Sequence, residues 1–424
     1  MRRDGSNIFG ANTNDKWKPL WSAGLGWQLS KENFYRVSWL PFLKLSATYG
    51  VSGNVDLTRT ALPVGVYTRN TFGGISLPSL GISTINNPDL TWEHSYQTNV
   101  RLDFATRKNT VTGSLEYYHK KGTDLYAPTP YDYTTFGLTS TITANVANMK
   151  GNGVDITLHS TNINKAFRWT TDFLYSYNQS VTTKYFSSTG GSVMSFLAQG
   201  NTITPVVGKP LYALAAYKWG GLDGSGNPQG YLGDTLSTNY NAISQNSLNN
   251  GLKGGSIVYM GSANPTSFGS VLNSFSYKGF ELSFNITYKF GYWFLKPALS
   301  YSSLAQYGTY SVGYDRRWQQ PGDEKKTSVP SFVYPLNATV DAFYTASDIN
   351  VDKGDHIRLQ FINLSYSFLT GGKTSLPFKS VQVYLNAANI GVLWSANKDH
   401  IAPDFVNAVP NPRIGCAVVA RRLA

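Results

Sequence analysis

Hydrophobic and polar residues alternate with a period of two over several long stretches of the chain. Between Phe280 and Phe290 every second residue is apolar, and the intervening residues are Glu281, Ser283, Asn285, Thr287 and Lys289. Segments 94–105 and 167–180 alternate in the same way. Because successive side chains of a β-strand point to opposite faces, each stretch predicts a strand with one apolar and one polar face. Tilted strands of ~9 or more residues can cross a bilayer, whereas the strands of soluble sandwiches average about five or six residues.

This alternation predicts about eleven strands. They cover 22–30, 42–51, 94–105, 109–119, 152–160, 167–180, 270–277, 280–290, 356–368, 380–390 and 413–420. Short connections of about 2 to 11 residues alternate with long ones of about 22 to 89, as periplasmic turns alternate with extracellular loops in outer-membrane barrels. Segments 52–93, 181–269 and 291–355 are then external, and Arg107-Lys108 and Lys278-Gly279 are tight periplasmic turns.

The two faces of the predicted strands suit two different solvents. Charged residues on the polar faces suit a water-filled lumen, and the apolar faces suit lipid. The lumen set is Arg101, Asp103, Glu116, Asp155, Asp172, Glu281 and Lys289. Aromatic residues near strand ends fit the girdles of a barrel at the membrane interfaces. They are Trp27, Tyr117, Trp169, Tyr177, Phe290 and Trp394.

The predicted fold class is therefore all-β, an antiparallel transmembrane β-barrel. The odd strand count favours part of a barrel, because single-chain bacterial barrels have an even number of strands. Residues Met1 to Asp15 are expected in an external loop, and the last strand would carry Ile414, Cys416 and Val418 on one face. The first residues lack the apolar core of a secretory signal, which predicts that the sequence begins partway through a longer protein.

Composition agrees with this class. Tyr 28, Phe 22 and Trp 10 make the chain aromatic, and charged residues are 14%, against about 25% in soluble domains. The sequence has no apolar run of the ~18 residues that a spanning helix needs. Since only helices and closed barrels satisfy their backbone groups in lipid, a membrane location requires a barrel.

Candidate chemistry is sparse, and the sequence predicts neither catalytic residues nor a cofactor. Glu93 and His94 are adjacent, but neighbours on a strand point to opposite faces and cannot act together. The single cysteine, Cys416, and five histidines without metal-ligand spacing argue against a metal site. Asp223 to Asn227 with Asp234 resembles a calcium loop, but Pro228 stands where the turn glycine is expected, so a plain turn is favoured.

The net charge of +12 does not predict nucleic-acid binding, because lysines and arginines are scattered and form only short pairs such as Lys325-Lys326. We expect basic residues at the rim of the barrel to meet lipid phosphates. The long loops carry aromatic residues that could stack on sugars, pack within the loops or contact a partner. They are Tyr131, Tyr133, Trp219, Tyr231, Tyr240, Tyr310 and Trp318. The pattern assigns no ligand-binding residue among them.

Several dispersed motifs resemble the SusC/RagA family of TonB-linked outer-membrane proteins. They occur in the family's order and extend over nearly the whole chain: Arg3-Asp4-Gly5-Ser6 with Phe9-Gly10, Leu43 to Gly50 with Gly53-Asn54, Asn87 to Glu93, Tyr117-Tyr118, Thr123 to Leu125, Asn145 to Asp155, Arg317-Trp318 with Pro321 to Asp323, and Asp355 to Phe368.

The resemblance implies a barrel of about 22 strands around an N-terminal plug, of which residues 1–424 would be the C-terminal portion of the barrel domain. It further implies energy from the TonB complex through a missing N-terminal region, a SusD-like surface lipoprotein as partner, and an oligosaccharide or peptide as ligand. The signal peptide, plug and TonB box have no counterpart in this sequence. The chain also departs from the family by ending in Arg421-Arg422-Leu423-Ala424 instead of an aromatic residue, so either the true end differs or assembly is impaired.

The leading hypothesis is TonB-dependent import across the outer membrane, with no enzymatic activity. One alternative is a passive porin or outer-membrane glycan-binding protein whose barrel closes at about twelve strands. Another is a soluble all-β glycan-binding protein.

Overall fold

The computed structural model describes residues 1–6, 17–56, 63–72, 75–84, 87, 89–130, 132, 134, 141–185, 196–197, 205–308, 313–369, 380–399 and 401–405. These residues form twenty β-strands and three α-helices. The strands are β1 (Arg2–Gly5), β2 (Trp17–Trp27), β3 (Phe42–Asn54), β4 (Val64–Phe72), β5 (Ile75–Thr84), β6 (Glu93–Ala105), β7 (Val111–Pro130), β8 (Thr141–Asn164), β9 (Phe167–Tyr185), β10 (Ala213–Tyr217), β11 (Trp219–Leu222), β12 (Pro228–Leu232), β13 (Thr235–Ser237), β14 (Ile257–Ser262), β15 (Ser267–Tyr277), β16 (Phe280–Phe290), β17 (Trp293–Leu295), β18 (Val351–Lys353), β19 (His356–Leu369) and β20 (Ser380–Ser395). The helices are α1 (Tyr240–Asn250), α2 (Tyr301–Tyr307) and α3 (Ala338–Thr345).

Eleven of these strands form one antiparallel sheet, which we call the wall. Its order is β1-β2-β3-β6-β7-β8-β9-β15-β16-β19-β20. Each wall strand therefore lies beside the wall strand that follows it in the chain. Within the described residues, β1 and β20 are each paired on one side, so the wall has two edges. An open sheet of this kind is part of a barrel.

The pairing register joins the alternating faces of separate strands into continuous surfaces. One apolar row runs from Trp169 through Phe275, Leu282 and Leu364 to Leu385. Residues directly opposite each other share a face, so this row belongs to one side of five strands.

A polar row belongs to the other side. It runs from Ser46 through Arg101, Glu116 and Asp155 to Ser176. Arg101 Nη1 lies 3.6 Å from Glu116 Oε2. The predicted division into one apolar and one polar face is confirmed by the register.

The positions of the first ten predicted strands are confirmed, although several strands are longer than predicted. The largest extensions are in β7 and β8, which have 20 and 24 residues. The expectation of an external loop over Met1 to Asp15 is wrong for Arg2–Gly5, which pairs with Trp17 to Leu20. Too few residues alternate there to distinguish a strand. The predicted strand 413–420, with Ile414, Cys416 and Val418, lies outside the described residues.

Both predicted tight turns are present. Lys278 and Gly279 join β15 to β16 with φ of 46° and 86°, and two positive φ values are what a two-residue hairpin requires. Arg107 to Asn109 form a 3-10 turn between β6 and β7, in which Lys108 has φ of 62°. Successive wall strands are antiparallel neighbours, so every second connection lies at the same end of the wall. The short connections therefore share one end.

The described parts of the long connections at the opposite end contain further strands and helices. β10 pairs with β14, β12 pairs with both β11 and β13, and β17 pairs with β18. We call the structure formed by these strands and α1–α3 the cap. Asn239 and Asn337 cap α1 and α3 by accepting backbone N–H groups.

The hydrophobic core lies mainly in the cap. Ile243, Phe343 and Leu214 are almost completely buried there, whereas Leu25 and Tyr384 on the wall are 83% and 77% exposed. Such wall residues need lipid or further protein to cover them. Within the described residues, no helix combines the length and apolarity that crossing a bilayer requires.

Candidate functional site

Three of the dispersed sequence motifs converge at the cap end of β6, β7 and β8. The Thr91 N–H donates to Asn145 Oδ1 at 2.9 Å, and Asn145 Nδ2 donates to the Thr91 carbonyl at 3.0 Å. Asn145 Nδ2 also donates to the Asp124 carbonyl, and Leu90 and Trp92 are buried beside these contacts. We call this arrangement the clasp. It fixes the segment between β5 and β6 against the wall.

The clasp also separates Glu93 from His94, as the sequence predicted for neighbours on a strand. Glu93 accepts from the Tyr126 N–H at 2.7 Å and from Asn54 Nδ2 at 2.7 Å. His94 Nδ1 instead lies 3.2 Å from Asp124 Oδ2. The two side chains therefore serve different structural contacts.

Four of the loop aromatics singled out from the sequence pack within the cap. The Trp219 ring lies 5.8 Å from the Tyr344 ring, and the Tyr240 ring lies 5.2 Å from the Phe343 ring. Trp318 Nε1 donates to Glu324 Oε2, and Lys218 Nζ lies over the Tyr231 ring. Tyr131, Tyr133 and Tyr310 lie outside the described residues.

Burial changes the titration of several groups in the cap. It raises the pKa of Tyr240 to about 12, helped by the charge of Asp223. It raises the pKa of Tyr344 to about 12, although the positive charge of Arg316 opposes the rise. Burial also raises the pKa of Asp348, whose carboxylate accepts the Trp219 N–H at 3.0 Å. These groups stabilise the cap as neutral phenols and as a hydrogen-bonded carboxylate.

The predicted plain turn at Asp223 is confirmed by its hydrogen bonds. Asp223 Oδ1 accepts the N–H groups of Ser225 and Asn227 at 2.9 and 2.8 Å, and its Oδ2 accepts Asn227 Nδ2. These bonds hold the pKa of Asp223 below its ordinary value despite the burial that would raise it. In the described part of the chain, no three His, Cys, Asp or Glu side chains are grouped as metal ligands.

A cleft of about 610 Å³ lies where the cap meets β9, β15 and β16. We call it the aromatic cleft. It is lined by the rings of Tyr212, Tyr259, Tyr292 and Trp293 and by the amides of Asn178, Gln179 and Asn264. Lys209 Nζ lies 3.9 Å from the centre of the Tyr259 ring, and Lys353 Nζ lies 5.6 Å from that of Trp293.

Sequence reasoning missed the aromatic cleft. Its rings come from separate short elements of the cap, and no alternation marks them. Rings next to amides and amines can stack on a sugar face and hydrogen-bond its hydroxyl groups.

A second cleft, of about 960 Å³, lies within the cap, and we call it the ionic cleft. The charged side chains of its lining are Lys296, Arg316, Arg317, Lys326, Asp315, Asp323 and Asp399. Asp323 Oδ2 accepts the Gln319 and Gln320 N–H groups at 3.3 and 3.1 Å. The lining therefore offers both signs of charge to a polar ligand.

The segment after β20 lines one side of the ionic cleft. We call residues 396–399 and 401–405 the strap. Within it, Asn397 Nδ2 donates to the Ile401 carbonyl and Asn397 Oδ1 accepts the Ile401 N–H. Asp399 Oδ2 lies 2.9 Å from Lys296 Nζ, which also lies 3.4 Å from Asp352. Burial tends to lower the pKa of Lys296, but the two carboxylates raise it overall.

The strap is fixed a second time through Asp404. Its carboxylate lies 2.6 Å from Lys289 Nζ, 3.4 Å from His356 Nε2 and 3.7 Å from Arg358 Nη2. The hydrogen bond with His356 and the contact with Lys289 hold the pKa of Asp404 well below its ordinary value, despite partial burial. Lys289 was predicted on the lumen face, but its partner Asp404 was not predicted.

Comparison with known proteins gives relatives over most of the chain, although no family model matches it. It is 28% identical to TonB-dependent receptor P39 of Formosa agariphila over 96% of this chain and 41% of that protein. It is 26% identical to TonB-dependent receptor P26 of the same organism over 93% of this chain and 39% of the relative. It is 29% identical to TonB-dependent receptor SusC of Bacteroides thetaiotaomicron over 45% of this chain and 19% of that protein.

A solved structure of the RagAB peptide transporter has the same fold over 92% of this chain and 41% of its own, with a TM-score of 0.71 and 21% identity. The chain therefore spans 41% and 39% of the lengths of the first two relatives. The resemblance to SusC/RagA proteins predicted from the motifs is confirmed, and the chain is part of an outer-membrane β-barrel.

Proposed function

We propose that this chain is the C-terminal barrel portion of an outer-membrane component that imports oligosaccharides in a TonB-dependent manner. Its relatives P39 and SusC are TonB-dependent receptors, and the RagAB protein of similar fold is a peptide transporter. The remainder of such a protein would supply the other wall strands, a plug that fills the lumen and the contact with TonB. A SusD-like lipoprotein would cover the cap end. In this proposal the chain moves a nutrient and performs no catalysis.

The aromatic cleft is the observation that supports an oligosaccharide as cargo. Tyr212, Tyr259 and Trp293 supply rings, while Asn178 and Asn264 supply amides, within one cleft of about 610 Å³. Ring faces bury the apolar side of a pyranose, and amides match its hydroxyl groups. The cleft opens at the cap end of the wall, where an external ligand would first meet the protein.

Peptide import is the second candidate, and it is favoured by the similarity in fold to the RagAB peptide transporter. Backbone amides of a peptide would use the same polar groups as sugar hydroxyls. A passive porin or glycan-binding protein with a smaller barrel is less well supported, because the described wall has two edges and edges in lipid leave backbone groups without partners.

The test is uptake by a host strain that lacks its own copy of the full-length gene. Cells expressing that gene should accumulate a labelled oligosaccharide, and deletion of TonB should abolish accumulation. The variant Trp293→Ala should lower uptake at limiting ligand, whereas Trp39→Ala, which removes a 64% exposed ring from the connection between β2 and β3, should not. If the cells took up peptides and no oligosaccharide, the proposed cargo would be a peptide. Uptake that persists without TonB would overturn the import mechanism.

A further inference from the structure

Three basic side chains of the wall converge on one carboxylate of the strap. Lys289 and His356 are directly opposite each other in the β16–β19 register, and Arg358 lies two residues further along the same face of β19. All three approach the Asp404 carboxylate, at distances between 2.6 and 3.7 Å. We call these three side chains the cationic triad.

We propose that the cationic triad is a binding site for a carboxylate or sulfate group of the imported ligand, and that Asp404 occupies it here as an internal competitor. This inference rests on the proposed import function and narrows the cargo to an acidic oligosaccharide. The strap then acts as a tethered competitor that leaves the triad when a suitable ligand arrives.

Two of the three triad side chains are buried, which suits a site that holds an anion. His356 is 1% exposed and Arg358 is 2% exposed. Cations removed from water are costly unless an anion accompanies them. His356 Nδ1 lies 2.8 Å from the Gly354 carbonyl while Nε2 faces Asp404. Each ring nitrogen of His356 therefore faces an oxygen acceptor.

The anion that fills the triad comes from the strap, which is attached to the rest of the protein by charge, by the buried Asn397 and by the hydrogen bond from the Ala396 N–H to the Asp355 carbonyl. The strap closes its own turn through Asn397 and Ile401. Among the described residues, its ionic contacts to the rest of the protein include those of Asp399 with Lys296 and of Asp404 with the triad. The Asp399 side chain is 48% exposed, and such an exposed charge pair contributes little net stability. An external anion that makes the same contacts can therefore compete.

The ionic cleft gives such a ligand access to the strap. Asp399, Ile401 and Ala402 line this cleft, with Lys296, which holds Asp399. A ligand in the cleft that pairs with Lys296 would weaken the first anchor of the strap. Its next acidic group could then replace Asp404. The proposed ligand thus carries several acidic groups along an extended chain.

Binding of defined oligomers to the full-length gene product in detergent tests this competition by calorimetry. The probes are trigalacturonate and the neutral galactose trimer. Asp404→Asn should bind trigalacturonate about 10-fold more tightly than wild type, because the competing state is lost, and Lys289→Gln should bind it more weakly. Neither variant should change affinity for the neutral trimer. Asp234→Asn, at an exposed turn carboxylate between β12 and β13, should behave as wild type.

Further probes identify which class of ligand carries the anionic group. A Glu-containing tripeptide and its Gln counterpart separate acidic peptides from acidic sugars, and a sulfated trisaccharide separates sulfate from carboxylate. If Asp404→Asn increased the affinity for the acidic peptide alone, the assignment of an acidic oligosaccharide would be overturned. An unchanged affinity for every acidic probe would overturn the triad as a binding site, while continued TonB-dependent uptake of a neutral oligosaccharide would leave the import function intact.

Discussion

Thr91 and Asn145 exchange two hydrogen bonds across the cap end of the wall. The N–H of Thr91 donates to Asn145 Oδ1 at 2.9 Å, and Asn145 Nδ2 donates to the Thr91 carbonyl at 3.0 Å. A side-chain amide thus completes a backbone pairing for a segment that lies outside any strand. Tyr126 OH adds a third contact by donating to the same carbonyl at 2.7 Å.

Replacing Asn145 should release the clasp. Asn145→Ala leaves the Thr91 N–H without this acceptor, and an unsatisfied buried group costs about 1–3 kcal/mol. We expect faster hydrogen exchange over residues 89–92, with unchanged exchange in β15 and β16. Asn249→Ala, on the exposed side of α1, is the matched control. Equal protection of residues 89–92 in both variants would show that Leu90 and Trp92 hold the segment by packing alone.

A charge on the apolar face of β16 should impair insertion, while the same charge on the polar face should not. Ile286 and Thr287 are neighbours in β16 and belong to opposite faces. Lysine facing the bilayer centre costs about 2–4 kcal/mol in barrels. Ile286→Lys should therefore reduce the heat-modifiable folded species of the full-length protein in gel electrophoresis, and Thr287→Lys should retain it. Equal loss in both variants would contradict the assignment of faces.

The turn between β15 and β16 should depend on glycine at position 279. Gly279 has φ of 86°, and a Cβ there would lie 2.8 Å from the Ser367 carbonyl oxygen. We expect Gly279→Ala to lose about 1–2 kcal/mol of stability in urea unfolding, because this conformation is strained for other residues. Gly224→Ala introduces its Cβ into open space and should have little effect. A neutral result at both positions would show that the turn shifts to accommodate the side chain.

The wall could be predicted from sequence because its physics is local and periodic. Each strand contacts two solvents, so alternation alone identifies Ile286 as apolar-facing and Thr287 as polar-facing. The short turns follow from the same pattern. Arg2–Gly5 was missed because four residues carry too little periodicity to stand out from a loop.

The cap and the strap could not be predicted in this way. α3 has eight residues, about two turns, so its helical period is hardly expressed. Its burial comes from contacts with distant segments, as in the Phe343 and Tyr240 rings. Lys289 was correctly predicted on the polar face, but Asp404 reaches it from a segment without alternation. Long-range charge pairing leaves no periodic signal in one sequence.

Acidification should release the strap from the cationic triad. Contacts with His356 and then Lys289 depress the pKa of Asp404 below its ordinary 3.8. Arg358 also faces this carboxylate, while Tyr292 and Gly354 face His356. A carboxyl with a depressed pKa stabilises the seated strap above its ordinary pKa, and this stability is lost as pH falls below 3.8 through the depressed value.

A spin label at Ala402, in a Cys416→Ser background, reports this release by electron paramagnetic resonance. The label should be immobilised at pH 7 and gain mobility as the pH falls below about 3.8, the ordinary value for this carboxyl. Asp404→Asn should be mobile at both pH values, because an amide cannot carry the charge that the triad requires. The same label in Asp234→Asn should follow wild type, which distinguishes the strap from a general effect of acid. Mobility that changes with pH equally in Asp404→Asn would show that another group holds the strap.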